Sequence, residues 1–583
     1  MESTLYQLYE GKVIIRLRGK ICENSEELLT SRLFRDVLWD FIHRLERRES
    51  RYLNIFPGRA ISEGAVSELI ETLRFLVKLP ADLVVKVYDS AGKFLLDKTL
   101  LFDFIEQLYN HWRKLHRVVI LDASLDQLDR RPYRTFSETV EELMHVVRST
   151  YRDIQENISG SHPRVYRQVS AGAEIGAIAL PAPVTYPNGD YSSLKEISVI
   201  RQILIYPPMI FNSPTNKRKG VFERIHFNPI RGLHLDPAEW LCYPAKVGEL
   251  VIMVYFSVRF FELGFSLCNL FEMAESDQIG KQPDAVYLFG VPEIPGLKSG
   301  QSQTVFYDDE DNRMLVAAIP FRDEFGYFGY LKKMILTLHN IAVMKQDRMP
   351  FHGAYFHIRM RNGKESNVLI IGDSGAGKSE TLEAMRQMAG DEVEELVAIA
   401  DDMGSLVISE GGRVLGYGTE TGAFVRLDDL QSGYALGQID RTIIMNPDQV
   451  NARVVIPITK YDEVVRGYPV DIVLYANNYE VVDNHYPVIH RFDNPNEAID
   501  VFRSGAVMSK GTTNTMGLVH SYIANIFGPP QYQERHDLLA IRFFEQFYRE
   551  GVFVGELRTQ LGVPGMEREG PVLAAKALLE LIG

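Results

Sequence analysis

The stretch Asn367–Thr381, NVLIIGDSGAGKSET, decides how the C-terminal half of the chain is read. It opens on an apolar run, Asn367–Ile371, suited to one buried strand, and it leads into ETLEAMRQM, Glu380–Met388, a run of good helix formers. Between them, Gly372–Ser379 follows the phosphate-loop pattern in its required strand–loop–helix setting. The residue types have physical reasons. Gly372, Gly375 and Gly377 let the backbone turn tightly and bring N–H groups against phosphate oxygens, with Asp373, Ser374 and Ala376 completing the turn. The helix that starts near Lys378 adds its positive end, and Lys378 adds a mobile cation. Ser379 offers a hydroxyl to Mg2+, and Glu380 and Thr381 continue the nucleotide-binding stretch into the first helical turn. A chance glycine turn is the bland alternative.

A second apolar strand, Leu396–Ala400, ends in Asp401 and Asp402. Next to a phosphate loop, such a pair suits a metal site: one carboxylate binds the ion while the other accepts a proton or holds a metal-bound water. Taken alone, it reads equally well as the start of a turn.

Outward from these motifs, the 583 residues exceed what one hydrophobic core usually holds. The expected division is a mixed α/β segment over 1–155, a sheet-rich domain over 156–300 and a phosphate-loop domain over 301–583, with ENISGSHPR, Glu156–Arg164, as the first boundary. Leu83–Tyr88 and Arg117–Leu121 read as strands. A helix is expected from Thr135, with Thr135 and Glu138 as a capping box and Phe136, Val140, Leu143 and Val147 on one face. The apolar stretch ELVIMVYFSVRFFELGF carries Glu249, Arg259 and Glu262, and reads as a buried strand or two rather than a membrane span. The net charge of −14 disfavours a nucleic-acid partner. Three cysteines without a Cys-x-x-Cys pair, and an N-terminus unlike a signal peptide, point to a reducing, cytoplasmic setting.

HG at His352–Gly353, GDSGAGKSET at Gly372–Thr381 and IADD at Ile399–Asp402 together resemble the HPr kinase/phosphorylase group, which shares its phosphate-loop fold with the phosphoenolpyruvate carboxykinases. Other segments are similar to the carboxykinases themselves. They are GYFGYLKK at Gly326–Lys333, GTETGAFVRL at Gly418–Leu427, NARVVIPI at Asn451–Ile458 and SGAVMSKGTTN at Ser504–Asn514. Lys333 stands 19 positions before His352, the family's spacing for its transition-metal pair. The resemblance covers about Thr304 to the C-terminus. It implies an α/β fold whose C-terminal domain has a mixed sheet, and a metal-assisted transfer of the γ-phosphoryl group of ATP or GTP. By the same resemblance, Lys333, His352 and Asp402 would hold a Mn2+-type ion, and Ser379 and Asp401 would serve the nucleotide-bound Mg2+. Tyr327 would sit beside the substrate or its carbon dioxide product, Arg453 would bridge the transferring group, and Thr512 and Asn514 would lie in the nucleotide-base loop. Tyr327 as core packing, His352 as a structural histidine, Lys332–Lys333 as a surface charge pair and Arg453 in an ion pair remain open alternatives.

Three departures bear on the acceptor and the base. Asp373 and Ser379 replace the leucine and threonine usual in the carboxykinase loop, and both are the protein-kinase-like choice. Asn514 stands where those enzymes carry an arginine. Their oxaloacetate arginine has no good copy; FNSPTNKRKG, Phe211–Gly220, offers Lys217, Arg218 and Lys219 and reads more simply as a solvated basic loop. The expected acceptor is therefore a small molecule, as in the carboxykinases, or a protein or small-molecule hydroxyl, as in the HPr kinase group. A nucleotide-binding regulator without turnover is a third reading.

Overall fold

The structure is a computed structural model and describes residues 4–9, 11–17, 22–58, 61–122, 132–162, 168–187, 189–218, 221–297, 302–427, 440–510 and 516–583. The chain is mixed α/β and divides into two compact units: residues 1–181 with 198–209, and residues 182–197 with 210–583. Among the described residues no helix is long and apolar enough to cross a membrane.

In the first unit, strands Thr4–Tyr9, Lys12–Leu17, His116–Asp122, Ile175–Leu180 and Val199–Ile205 lie side by side in that order. The two middle pairings are parallel and the outer two antiparallel. The expected strand at 117–121 is present. Helices Arg32–Glu46, Glu63–Leu76 and Lys98–Lys114 begin on side-chain caps, Ser31, Ser62 and Asp97, whose oxygens accept from the amides of Phe34, Ala65 and Leu100. Their apolar faces meet in one core containing Leu38, Phe41, Leu69, Leu73, Leu101 and Phe104. Each such side chain contributes about 1.5–3 kcal/mol on burial.

Two local expectations are corrected here. Leu83–Tyr88 is no strand: Ala81–Val87 forms a short helix entered from Pro80. Only Ala81 and Val84 are buried in it, while Leu83, Val85 and Val87 face solvent, so helical spacing overrides the β-branched composition. The helix expected from Thr135 starts at Pro132, whose ring fixes the φ of a first helical residue. Thr135 therefore lies within the first turn and does not cap the helix. The face of Phe136, Val140, Leu143 and Val147 is buried as read.

The second unit contains two large sheets. One runs Trp240–Val247, Leu250–Ser257, Ala285–Val291, Met314–Pro320, Val305–Asp309 and Glu223–Ile225. The long apolar stretch thus supplies one buried strand, Leu250–Ser257, and then helical turns over Val258–Phe265. The other sheet carries the phosphate loop. Strand Glu365–Ile371 pairs antiparallel with Met349–Met360 on one side and parallel with Ile472–Asn477 on the other. Strands Phe553–Arg558 and Ile489–Arg491 continue it beyond 472–477, and Met403–Ile408 and Val414–Gly418 continue it beyond 349–360. Helix Lys378–Glu392 covers this sheet with the C-terminal helix Glu569–Ile582, burying Leu382 and Met385 against Ala575, Leu578 and Leu579.

Candidate functional site

The turn Gly372–Gly377 joins strand 365–371 to helix 378–392, as its sequence requires. Gly375 and Gly377 have φ of +81° and +94°, backbone that L side chains rarely adopt. A Cβ on Gly377 would also lie 2.5 Å from Thr559 Oγ1. Side chains behind the turn fix its curvature: Asn478 Nδ2 donates to Gly375 O at 2.9 Å, and Thr559 Oγ1 donates to Ala376 O at 2.7 Å. Thr381 Oγ1 ties the helix start to Gly377 O, and the Asp373 carboxylate accepts from the Ser374 amide. Lys378 is buried, and its Nζ donates to Gly372 O at 2.6 Å and Asp373 O at 3.0 Å. Ser379 is exposed on the first helical turn and Glu380 half-buried.

Asp401 and Asp402 sit where a strand ladder is interrupted. Val393–Ala400 and Met403–Ile408 both run antiparallel to strand 349–360, with Ala400 opposite Tyr355 and Met403 opposite His352. The two aspartates therefore fall opposite Gly353 and Ala354, outside the regular pairing, and the irregularity re-aims their side chains. Gly353 has to be glycine: its amide donates to Asp402 O, and a Cβ would lie 2.4 Å from Ile370 O. The loop joins the same place through Gly372 N, which donates to His352 O at 3.1 Å.

His352 is fully buried. Its Nδ1 donates to the Ala524 carbonyl, which fixes the tautomer, and its Nε2 faces Asp402 Oδ1 at 3.0 Å. Two acceptors at that distance need a proton or a cation between them. Lys332 Nζ reaches Asp402 Oδ2 at 2.9 Å and Glu420 Oε1 at 3.5 Å. Lys333 Nζ lies 4.4 Å from the centre of the Phe527 ring, with Arg218 over the same ring. The lysines are thus no surface charge pair, and their proton affinities diverge. Burial opposes charge on Lys332, but Asp402 and Glu420 outweigh it and hold the group above its ordinary value. Burial, with Arg218, pushes Lys333 down to about 8.

The two aspartates diverge as well. Burial pushes the Asp401 carboxyl up, against the pull of Lys332. Burial also opposes charge on Asp402, yet Lys332 and His352 outweigh it and hold that carboxyl well below the usual range. His352 and Asp402, which meet at 3.0 Å, and Lys333, whose proton affinity is lowered, are the residues that could hold a transition-metal ion, with the Ala524 carbonyl orienting the imidazole from behind. Among the described residues no three His, Cys, Asp or Glu side chains converge, so the third donor would be the Lys333 amine.

Arg453 lies over the Phe424 ring at 5.5 Å, and its Nε is buried without a hydrogen-bond partner among the described residues. Tyr327 is buried with its ring 5.9 Å from that of Phe424. Burial raises its phenol, and Arg453, Asn451 and Arg218 work against that. Arg218 corrects the reading of the described part of that segment, 211–218, as a solvated loop; Lys219 lies outside the described residues. Asn446 Oδ1 accepts from the Ser213 amide, Asn216 Nδ2 donates to Val450 O, and Asn451 Nδ2 donates to Asn216 O. These bonds pin the segment, and Arg218 stacks on Phe222 and Phe527. Its neighbours Lys217 and Arg218 differ accordingly: Lys217 is exposed and Arg218 half-buried.

Sequence reasoning missed Glu420 and the turn Tyr522–Gly528. Glu420 is fully buried, and burial pushes its carboxyl up. Ile523, Ala524 and Asn525 have φ of +40°, +56° and +59°, three successive left-handed residues of which none is glycine. That turn aims the Ala524 carbonyl at His352, Asn525 Nδ2 at Asp373 Oδ1 (3.5 Å) and Phe527 at Lys333. The signal for Glu420 was its place in the GTETG segment; nothing in YIANIFG announced the turn. Thr512 and Asn514, expected in the nucleotide-base loop, lie outside the described residues.

Compared with models of known protein families the chain matches none, and no curated protein matches it.

Proposed function

We propose that the chain is a nucleotide-dependent phosphotransferase of carboxykinase type, which converts oxaloacetate and ATP or GTP into phosphoenolpyruvate, carbon dioxide and nucleoside diphosphate. The observation that carries this reading is the direct backbone link between two chemistries: Gly372 N to His352 O, and Gly353 N to Asp402 O. Through it the phosphate loop and the His352–Asp402–Lys333 donor set share one strand end. The mixed sheet around strand 365–371 supports a carboxykinase-type domain, and three free cysteines suit a cytoplasmic setting.

Ser379 and Asp401 would hold Mg2+ with the nucleotide, and His352, Asp402 and neutral Lys333 a Mn2+-type ion. Such ions supply charge neutralisation at the phosphates and at the acceptor oxygen. The loop amides and Lys378 hold the polyphosphate. Arg453, whose Nε has no internal partner, stabilises charge on the γ-phosphoryl group as its bond to the nucleotide breaks and the bond to the acceptor oxygen forms. Arg218, with Tyr327 and Lys333 near it, recognises a carboxylate on the acceptor. A second reading, a kinase acting on a protein or small-molecule hydroxyl, is favoured by Asp401, whose raised proton affinity suits a general base.

One assay separates them. Purified protein is incubated with γ-labelled ATP or GTP, Mg2+ and Mn2+. Label appearing in phosphoenolpyruvate only when oxaloacetate is present supports the first reading. Label on a protein or hydroxyl acceptor supports the second, and no turnover with either acceptor class overturns both.

A further inference from the structure

The unit formed by residues 1–181 and 198–209 contains two adjoining cavities that the proposed phosphotransfer does not use. The larger, of about 850 Å3, is walled by apolar and aromatic side chains, Leu33, Trp39, Trp112, Leu143 and Val147 among them. The smaller, of about 500 Å3, has Arg113, Arg148 and Arg152 on its wall. Tyr109 and Tyr151 line both. Their rings are stacked with centroids 3.9 Å apart.

We propose that these cavities form one binding site for an amphipathic anion, with an apolar body in the larger chamber and a carboxylate or phosphate head at the arginines. The larger volume is that of a small-molecule site. Its acids are already engaged: Tyr6 OH donates to Asp36, and Asp40 pairs with His111 Nε2 at 2.9 Å. That chamber therefore offers its occupant mainly apolar surface.

The smaller chamber differs in charge. Glu106 accepts from Tyr151 OH, from Gln155 Nε2 at 3.0 Å and from Asn110 Nδ2 at 3.3 Å, and Glu156 pairs with His162 at 2.6 Å. The carboxylates are thus occupied by neighbours other than Arg113 and Arg148. Arg148 is 9% exposed and, among the described residues, gives one bond, Nη2 to Val169 O at 2.8 Å. Arg113 gives one long bond to Asn110 Oδ1, at 3.4 Å. The Nε of each is buried without a hydrogen-bond partner. Cations held this way need a negative group that the described residues do not supply, and a planar guanidinium favours a two-oxygen head. A neutral alcohol of the same length lacks that charge.

The test uses the full-length chain and three twelve-carbon probes: laurate, dodecyl phosphate and 1-dodecanol. Trp39 and Trp112 wall the larger chamber, so tryptophan fluorescence reports occupancy. The expected result is saturable quenching by at least one anion, about ten-fold or more tighter than by dodecanol, since a charge-assisted hydrogen bond carries a factor of that order. Laurate against dodecyl phosphate tells a carboxylate head from a phosphate one. Arg148→Gln, and separately the more exposed Arg113→Gln, should lower the preference for the anion while leaving dodecanol unchanged. Lys378→Ala should leave the preference intact, which separates this site from the phosphate loop. Equal affinity for dodecanol and both anions, an unaltered preference in a folded Arg113→Gln protein, or no saturable binding of either anion would overturn the proposal.

Discussion

The phosphate loop and the cluster around His352 hold their charges by different means. The loop is eight consecutive residues, Gly372–Ser379, and Lys378 is held by carbonyls of its own turn, Gly372 O and Asp373 O. The cluster draws on helix Phe328–Lys345, strand 349–360, the bend at 401–402, Glu420 and the turn 522–528, and its lysines are set by residues far away in sequence. Lys332 and Lys333 make the contrast sharp, for neighbours on one helix are shifted in opposite directions, Lys332 up by two carboxylates and Lys333 down by burial together with the Arg218 guanidinium. An anion cradle can be built locally from backbone amides. A cation-binding cluster has to be assembled by tertiary structure, so damage to it reaches the fold as well as the chemistry.

That difference can be broken experimentally. The largest effect expected is on turnover: Lys378→Ala should lower kcat by about 10²–10³-fold or more, as for loss of one preorganised charge donor, while the urea midpoint stays near that of the parent. Unchanged activity in labelled-nucleotide assays would remove the loop from the mechanism. Lys332→Met should do the reverse of sparing the fold. It leaves Asp402 and Glu420 buried without their shared cation, at a cost of about 3–5 kcal/mol in denaturant unfolding. Gly377→Ala sits between the two, because positive φ and the contact with Thr559 both oppose it. It should destabilise by about 1–3 kcal/mol and abolish nucleotide binding measured by calorimetry.

A smaller effect concerns acid. Burial lowers His339 and His536 from the ordinary 6.5 to about 4, so both are neutral in the fold. Between pH 6.5 and 4 the unfolded chain binds protons that the folded chain does not, and stability falls as pH falls through that window. His339→Gln should make the fall shallower, read as urea midpoints at three pH values. The smallest effect is that of Ala524→Gly, whose φ of +56° suits glycine. Its stability should change by under about 1 kcal/mol, and a large loss would show that the methyl group, rather than the carbonyl aimed at His352, is what the turn needs.

What could be read from the chain follows the same division. The loop was legible because strand, glycines, lysine and helix are contiguous and each has a local physical reason. Asp401–Asp402 was legible as a pair, but the interruption of the ladder opposite Gly353 was not, since register with strand 349–360 is a long-range fact. Arg218 was misjudged because a run of basic residues reads as solvated, whereas the bonds made by Asn216, Asn446 and Asn451 pin its segment and Phe222 and Phe527 receive its guanidinium. Leu83–Val87 was misjudged because composition spoke for a strand while packing needed only Ala81 and Val84. The left-handed turn at 523–525 contradicts local preference at every position, which is where sequence reading is expected to fail.

The break in the strand pair at residues 401–402 also acts as a mechanical coupling. Two neighbouring carboxylates whose proton affinities are shifted in opposite directions sit on successive residues, and Gly353 clamps the peptide plane that follows them, through Asp402 O. A shift of the backbone at Asp402 therefore bears directly on strand 349–360, which carries His352. Because Gly372 N bonds to His352 O, the glycine turn and the aspartate bend are tethered to adjacent residues of one strand.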